Sequence, residues 1–177
     1  METSRSIYRR GAEDGLILGP VMIAAIVLVG LQSYYPWLFF AVMAVVLAVP
    51  AVVFMLLKRS FRANDRTATF SALWLEGVCA FAFGSLLMGA ATYVLLHWCF
   101  PDYIADQLRM LADTLAATSD PAAIEWSNTV EANIEAGNIP ASTDIVMELI
   151  YLAIFTGSML SIALALIIRK MYRRPRQ

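Results

Sequence analysis

Four uninterrupted apolar runs, each long enough to cross a lipid bilayer, constrain this chain more than any other feature. They cover about 15–35, 37–57, 71–98 and 145–168. A hydrocarbon core of about 30 Å needs roughly 20 residues of helix at 1.5 Å each. The first run carries no charge after Asp14, the second none at all, the third only Glu76, and the fourth only Glu148 near its start. Lipid offers no partners to an open backbone, so each run must be helical. A membrane barrel would instead alternate over short strands. Composition agrees: of 177 residues 60% are hydrophobic and 15% charged. A soluble domain lies nearer 45–50% and about 25%. A soluble globule and a disordered chain are thereby excluded. The formal net charge of −1 argues against nucleic acid as a partner.

The basic residues set the expected orientation. Arg5, Arg9 and Arg10 precede the first run; Lys58, Arg59, Arg62 and Arg66 lie between the second and third; Arg169, Lys170, Arg173, Arg174 and Arg176 follow the fourth. If the runs alternate, 12 of the 13 basic residues share one side, Arg109 being the exception. The positive-inside rule makes that side, and both termini, cytoplasmic. There Arg9, Arg10, Lys58, Arg59, Arg62, Arg169 and Lys170 are placed to meet anionic lipid headgroups. Glu13 and Asp14 interrupt a signal-like start, so the first run is expected to remain as a span rather than be cleaved.

Residues 101–144 carry eight acids against Arg109 alone, a net charge of −7. Ile104, Leu108, Leu111 and Leu115 recur at helical spacing, and Trp126, Val130 and Ile134 form a second stripe. Asp120 with Pro121 reads as a helix start, and Gly137 with Pro140 as its end; Ser142 or Asp144 is placed to cap the fourth span. The expected fold is all-α: a single integral-membrane four-helix bundle with an extracytoplasmic acidic helical hairpin between spans three and four. The hairpin reads either as a cover over the bundle's outer mouth or as a docking surface for a partner.

Small residues mark where helices approach in lipid. The fourth span has Ala153, Gly157, Ser161 and Ala165 in one row; the third has Ala80 with Gly84, and Ser85 with Gly89. These faces pack on other helices, within the chain or in an oligomer. Pro20 and Pro50 remove amide donors inside spans one and two. Glu76 shares the face of Ala80 and Gly84. A carboxylate there is neutral, paired or close to water. It reads either as held by a neighbouring helix or by Arg66, or as a proton- or ligand-handling group; no second acid or base is expected at its depth. His97 and Cys99, with Asp102, lack the further ligands a metal shell needs. Cys79 and Cys99, about 30 Å apart along one helix, cannot pair. No catalytic motif occurs, so neither an enzyme nor a cofactor is expected.

Two stretches, TATFSALWLEGV (67–78) and FPDYIADQL (100–108), are similar to motifs of a bacterial family of four-span membrane proteins catalogued as a domain of unknown function. The order of basic start, two spans, basic loop, long third span, acidic helical loop and last span resembles that family too. The resemblance implies a bacterial inner membrane and a four-helix fold. Through association with genes for membrane-linked glycosyltransferases it also implies work on the cell envelope. It carries over no catalytic residues. Two functions follow as expectations. One is a non-enzymatic accessory subunit that assembles with itself or with a protein partner. The other is a small oligomeric transporter or channel with Glu76 as its coupling or gating group.

Overall fold

A computed structural model describes residues 6–32, 34–63 and 68–172. Arg5, Arg66, Arg173, Arg174 and Arg176 lie outside the described residues. The described chain is all helix and turn, with six α-helices: α1 (Ile7–Gln32), α2 (Phe39–Ala63), α3 (Phe70–Val94), α4 (Tyr103–Ala116), α5 (Pro121–Glu135) and α6 (Ser142–Tyr172). A short 3₁₀ turn, Pro36–Leu38, leads into α2, and a π-helical turn, Leu95–Cys99, closes α3. Four segments have the length and composition to cross a membrane: Ile7–Gln32, Pro36–Ala63, Phe70–Cys99 and Ser142–Met171. They mark a multi-pass membrane protein.

α1, α2 and α6 are longer than their apolar stretches, because hydrocarbon thickness limits the apolar run and not the hydrogen-bond ladder. The largest differences are at the beginning of α1 and the end of α2. Arg9, Arg10, Glu13 and Asp14 are helical residues of α1, and Lys58, Arg59, Ser60 and Arg62 of α2. Pro20 and Pro50 both sit within continuous helices. Thr69 caps α3, its hydroxyl accepting from the Ala72 amide at 3.3 Å. At the start of α6 the amides of Asp144 and Ile145 donate to the Ala141 carbonyl. Ala141 therefore holds the cap position rather than Ser142 or Asp144, and Asp144 acts within the first turn, where the helix dipole favours an acid.

The chain forms two compact units: Met1–Thr92 with Met147–Gln177, and Tyr93–Val146. In the first, α3 is the central helix, with 44% of its apolar window buried against 17–22% for the other three spans. Gly11, Gly15 and Gly19 of α1 present bare backbone to it. A Cβ on Gly15 would lie 2.6 Å from the Phe83 Cβ and 2.9 Å from the Ala80 carbonyl oxygen, so only glycine permits this approach. On other faces of α3, Gly77 meets Ser161 of α6, and the Phe81 ring fills the notch at Gly157. Trp74 Nε1 donates to Ser158 Oγ of α6 at 3.3 Å. Leu18, Val53, Leu57, Phe61, Leu73, Phe81, Leu164 and Ile168 make the shared core. Phe40, Leu47 and Phe155 point outward, as lipid-facing side chains do.

In the second unit α4 packs on α5. Ser127 Oγ donates to the Ala112 carbonyl at 2.8 Å, and both residues are buried. Small side chains thus occupy the crossing, and larger ones are displaced. Leu111 and Trp126 are exposed, at 49% and 68%, and do not belong to the stripes that apolar spacing suggests. Asp120 caps α5 by accepting from the Ala122 amide at 3.0 Å. Gly137, at φ +72°, follows the end of α5 in the left-handed conformation.

Candidate functional site

Glu76 lies one and a half turns into α3, with 3% of its surface exposed. Ser60 of α2, itself buried, donates its hydroxyl proton to Glu76 Oε2 at 2.7 Å. The other carboxyl oxygen, Oε1, is buried and has no hydrogen-bond partner among the described residues. A buried polar atom left in this state costs about 1–3 kcal/mol.

Facing it is a second acid. Asp14 lines the same cavity as Glu76, close enough for the two side chains to interact, and Arg10 and Arg59 line it with them. This corrects the expectation that no acid or base stands at the depth of Glu76. The glycine face of α1 explains the meeting. Gly11 lies against Glu76 and Cys79, and Gly15 against Ala80, Phe83 and Gly84. Asp14, on the turn between those two glycines, is thereby carried to α3. Two carboxylates offer each other acceptors and no donor. Nothing in this pair therefore satisfies Glu76 Oε1 unless a proton or a cationic group comes between them.

The pair opens into a cavity of about 350 Å³ between α1, α2 and α3. Its polar lining is Arg10, Glu13, Asp14, Arg59, Ser60 and Glu76. Glu76 forms its buried end; Asp14 and Arg10 are half-buried, and Arg59 is exposed. A second cavity, of about 380 Å³, is lined by residues including Met22, Val49, Phe81 and Leu160. Its one hydroxyl, on Thr156, already donates to the Leu152 carbonyl at 2.7 Å, so that cavity is apolar in effect.

The structure distributes the remaining sequence candidates widely. Ala80 and Gly84 are buried against α1, and Ser85 and Gly89 are buried within the first unit. Gly157, Ser161 and Ala165 of α6 are buried, and Ala153 packs on the core. Gly157 and Ser161 thus take up space inside the chain. Of the cations read as lipid contacts, Arg10 and Arg59 line the cavity. Arg9 pairs with Glu13 at 3.2 Å, and Lys58 lies 5.8 Å from the centre of the Phe54 ring. Arg62, Arg169 and Lys170 lie at the ends of α2 and α6. His97 stacks on Tyr93, with ring centres 5.4 Å apart. No cluster of metal-ligating side chains occurs among the described residues.

Asp14, Ser60 and the glycine row of α1 are the parts of the site that sequence reasoning missed. The signal was present: Gly11, Gly15 and Gly19 repeat at intervals of four, with Asp14 at their edge. No curated protein and no solved structure matches the chain. A family model does, over residues 13–170, its description being a protein of unknown function. That range takes in Asp14, Arg59, Ser60 and Glu76, the second and third spans and most of the first and fourth, and the chain belongs to this family, DUF4199.

Proposed function

We propose that this is a small, non-enzymatic inner-membrane transporter or channel, active as an oligomer, in which Glu76 and Asp14 take up a cationic group from the cytoplasmic side. The observation that supports it is the buried Glu76 Oε1, without a donor and faced by a second carboxylate. An acid inside a span is costly and belongs to a path for ions or protons, or to a ligand. With both termini cytoplasmic, the basic ends of the helices hold anionic headgroups, and the cavity opens on that side. Proteoliposomes with a potassium diffusion potential and a proton-sensitive dye inside test the reading. Wild-type protein should carry protons above the protein-free rate, and Glu76→Gln should lose most of that flux. Equal flux in the two proteins overturns the mechanism.

One observation favours a second reading, an accessory subunit in cell-envelope work. The segment between the third and fourth spans, net −7, exposes Met110, Leu111, Ile124 and Trp126. Its charge is wrong for an anionic bilayer surface, and exposed aromatic and aliphatic groups amid acids suit a basic protein partner outside the cytoplasm. Affinity purification from native membranes decides it: a stoichiometric second protein, lost on Trp126→Ser, supports the accessory role, and recovery of the chain alone contradicts it.

A further inference from the structure

The cavity beside Glu76 holds charges of both signs, arranged in order. At the buried end stands Glu76, with one carboxyl oxygen lacking a donor among the described residues. Asp14, Glu13 and Arg10 of α1 are half-buried around it, and the Arg59 guanidinium of α2 stands toward water. Arg10 lies one turn before Asp14 on the same helix, and Arg59 is next to Ser60, which holds Glu76. Asp14 thus has a cation one turn away on its own helix, and Glu76 has one beside the serine that holds it.

Size and composition narrow the occupant. At about 350 Å³ the space would take roughly ten waters at ~30 Å³ each, far more than a bare ion needs. It falls at the small end of ligand sites, about 300–1,000 Å³. The acids do not converge as a metal site among the described residues. The ionised Glu76 carboxylate only accepts, so a group that enters the buried end in place of a proton must donate hydrogen bonds to Oε1. The two guanidinium groups, with Arg59 the more exposed, favour a tetrahedral oxyanion, which they bind through paired N–H donors.

We propose that this cavity binds an ethanolamine phosphate group, its primary ammonium between Glu76 and Asp14 and its phosphate against Arg10 and Arg59. This rests on the reading of the acid pair as a cation site and names the ligand class. The group reaches the cavity either free in the cytoplasm or as the headgroup of an aminophospholipid. A choline headgroup, with no N–H, leaves Glu76 Oε1 without its donor and is rejected.

Calorimetric titration of the full-length protein in an uncharged detergent tests this with four probes: ethylammonium, phosphoethanolamine, phosphocholine and dihexanoyl-phosphatidylethanolamine. Phosphoethanolamine should bind at least tenfold more tightly than either ethylammonium or phosphocholine. Glu76→Gln keeps the side chain's size and an oxygen for Ser60, and should weaken phosphoethanolamine at least tenfold; Asp14→Asn provides an independent check. Arg59→Gln should narrow the gap between phosphoethanolamine and ethylammonium to less than threefold. Tighter binding of the short-chain lipid than of the free group assigns the site to membrane lipid; equal binding assigns it to the soluble ligand. Phosphocholine binding as well as phosphoethanolamine overturns the proposal. So does phosphoethanolamine binding no better than ethylammonium; if ethylammonium binding still depends on Glu76, the cation reading survives. Absence of any Glu76-dependent binding ends both.

Discussion

Ser60 shows how much of the site rests on one hydroxyl. Among the described residues its hydroxyl is the donor that holds Glu76 Oε2, and Oε1 has no partner there. Ser60→Ala leaves both oxygens without a donor at a position 3% exposed. The expected cost is about 1–3 kcal/mol. For a chain of this size that lowers the thermal midpoint by roughly 2–4 °C per kcal/mol. An unchanged midpoint in ligand-free detergent would show that Glu76 finds other support. Nothing in the sequence around Ser60 distinguishes it from any serine near a helix end. A hydroxyl's role depends on what the fold brings to it. Glu76 was legible because a lone acid in an apolar run stands out against hydrocarbon.

At the scale of the helix, α1 owes its place to absence of side chains. Gly11, Gly15 and Gly19 allow its backbone to lie on α3, and Asp14 meets Glu76 as a consequence. Gly15→Leu drives a side chain into the Phe83 Cβ and the Ala80 carbonyl, and the latter is backbone that cannot give way. Overpacking of this kind costs about 1–3 kcal/mol or more. It also parts the two acids, so ethylammonium binding should fall with stability. Ala24→Leu, on an exposed position of the same helix, should change neither. Equal behaviour of the two variants in thermal unfolding and binding would contradict the packing. The spans themselves were readable from apolar length. Their charged ends were not, because a helix continues past the apolar window that reveals it. In the α4–α5 hairpin the same limit appears differently. Large apolar spacing pointed to Leu111 and Trp126, whereas a close crossing buries the small residues, Ala112 and Ser127.

Across the whole molecule, charge asymmetry makes a topological prediction. With both ends cytoplasmic, a single cysteine at Glu131 in a Cys79→Ser, Cys99→Ser background should react with a membrane-impermeant maleimide in intact spheroplasts, and one at Ser6 only after lysis. The reverse pattern would invert the orientation and place the cavity on the outer side. Whichever side it faces, the site exists only because α1, α2 and α3 each bring a part: Asp14 with Arg10, Ser60 with Arg59, and Glu76. The central claim is that the acids of α1 and α3 act as one cation site. A double-mutant cycle of ethylammonium affinity with Asp14→Asn and Glu76→Gln tests it most directly. Groups sharing a ligand are non-additive, whereas independent sites add. Each single substitution should weaken binding about tenfold, or about 1.4 kcal/mol, and the double should be little weaker than either. Losses that simply add, or no loss from either substitution, would contradict it.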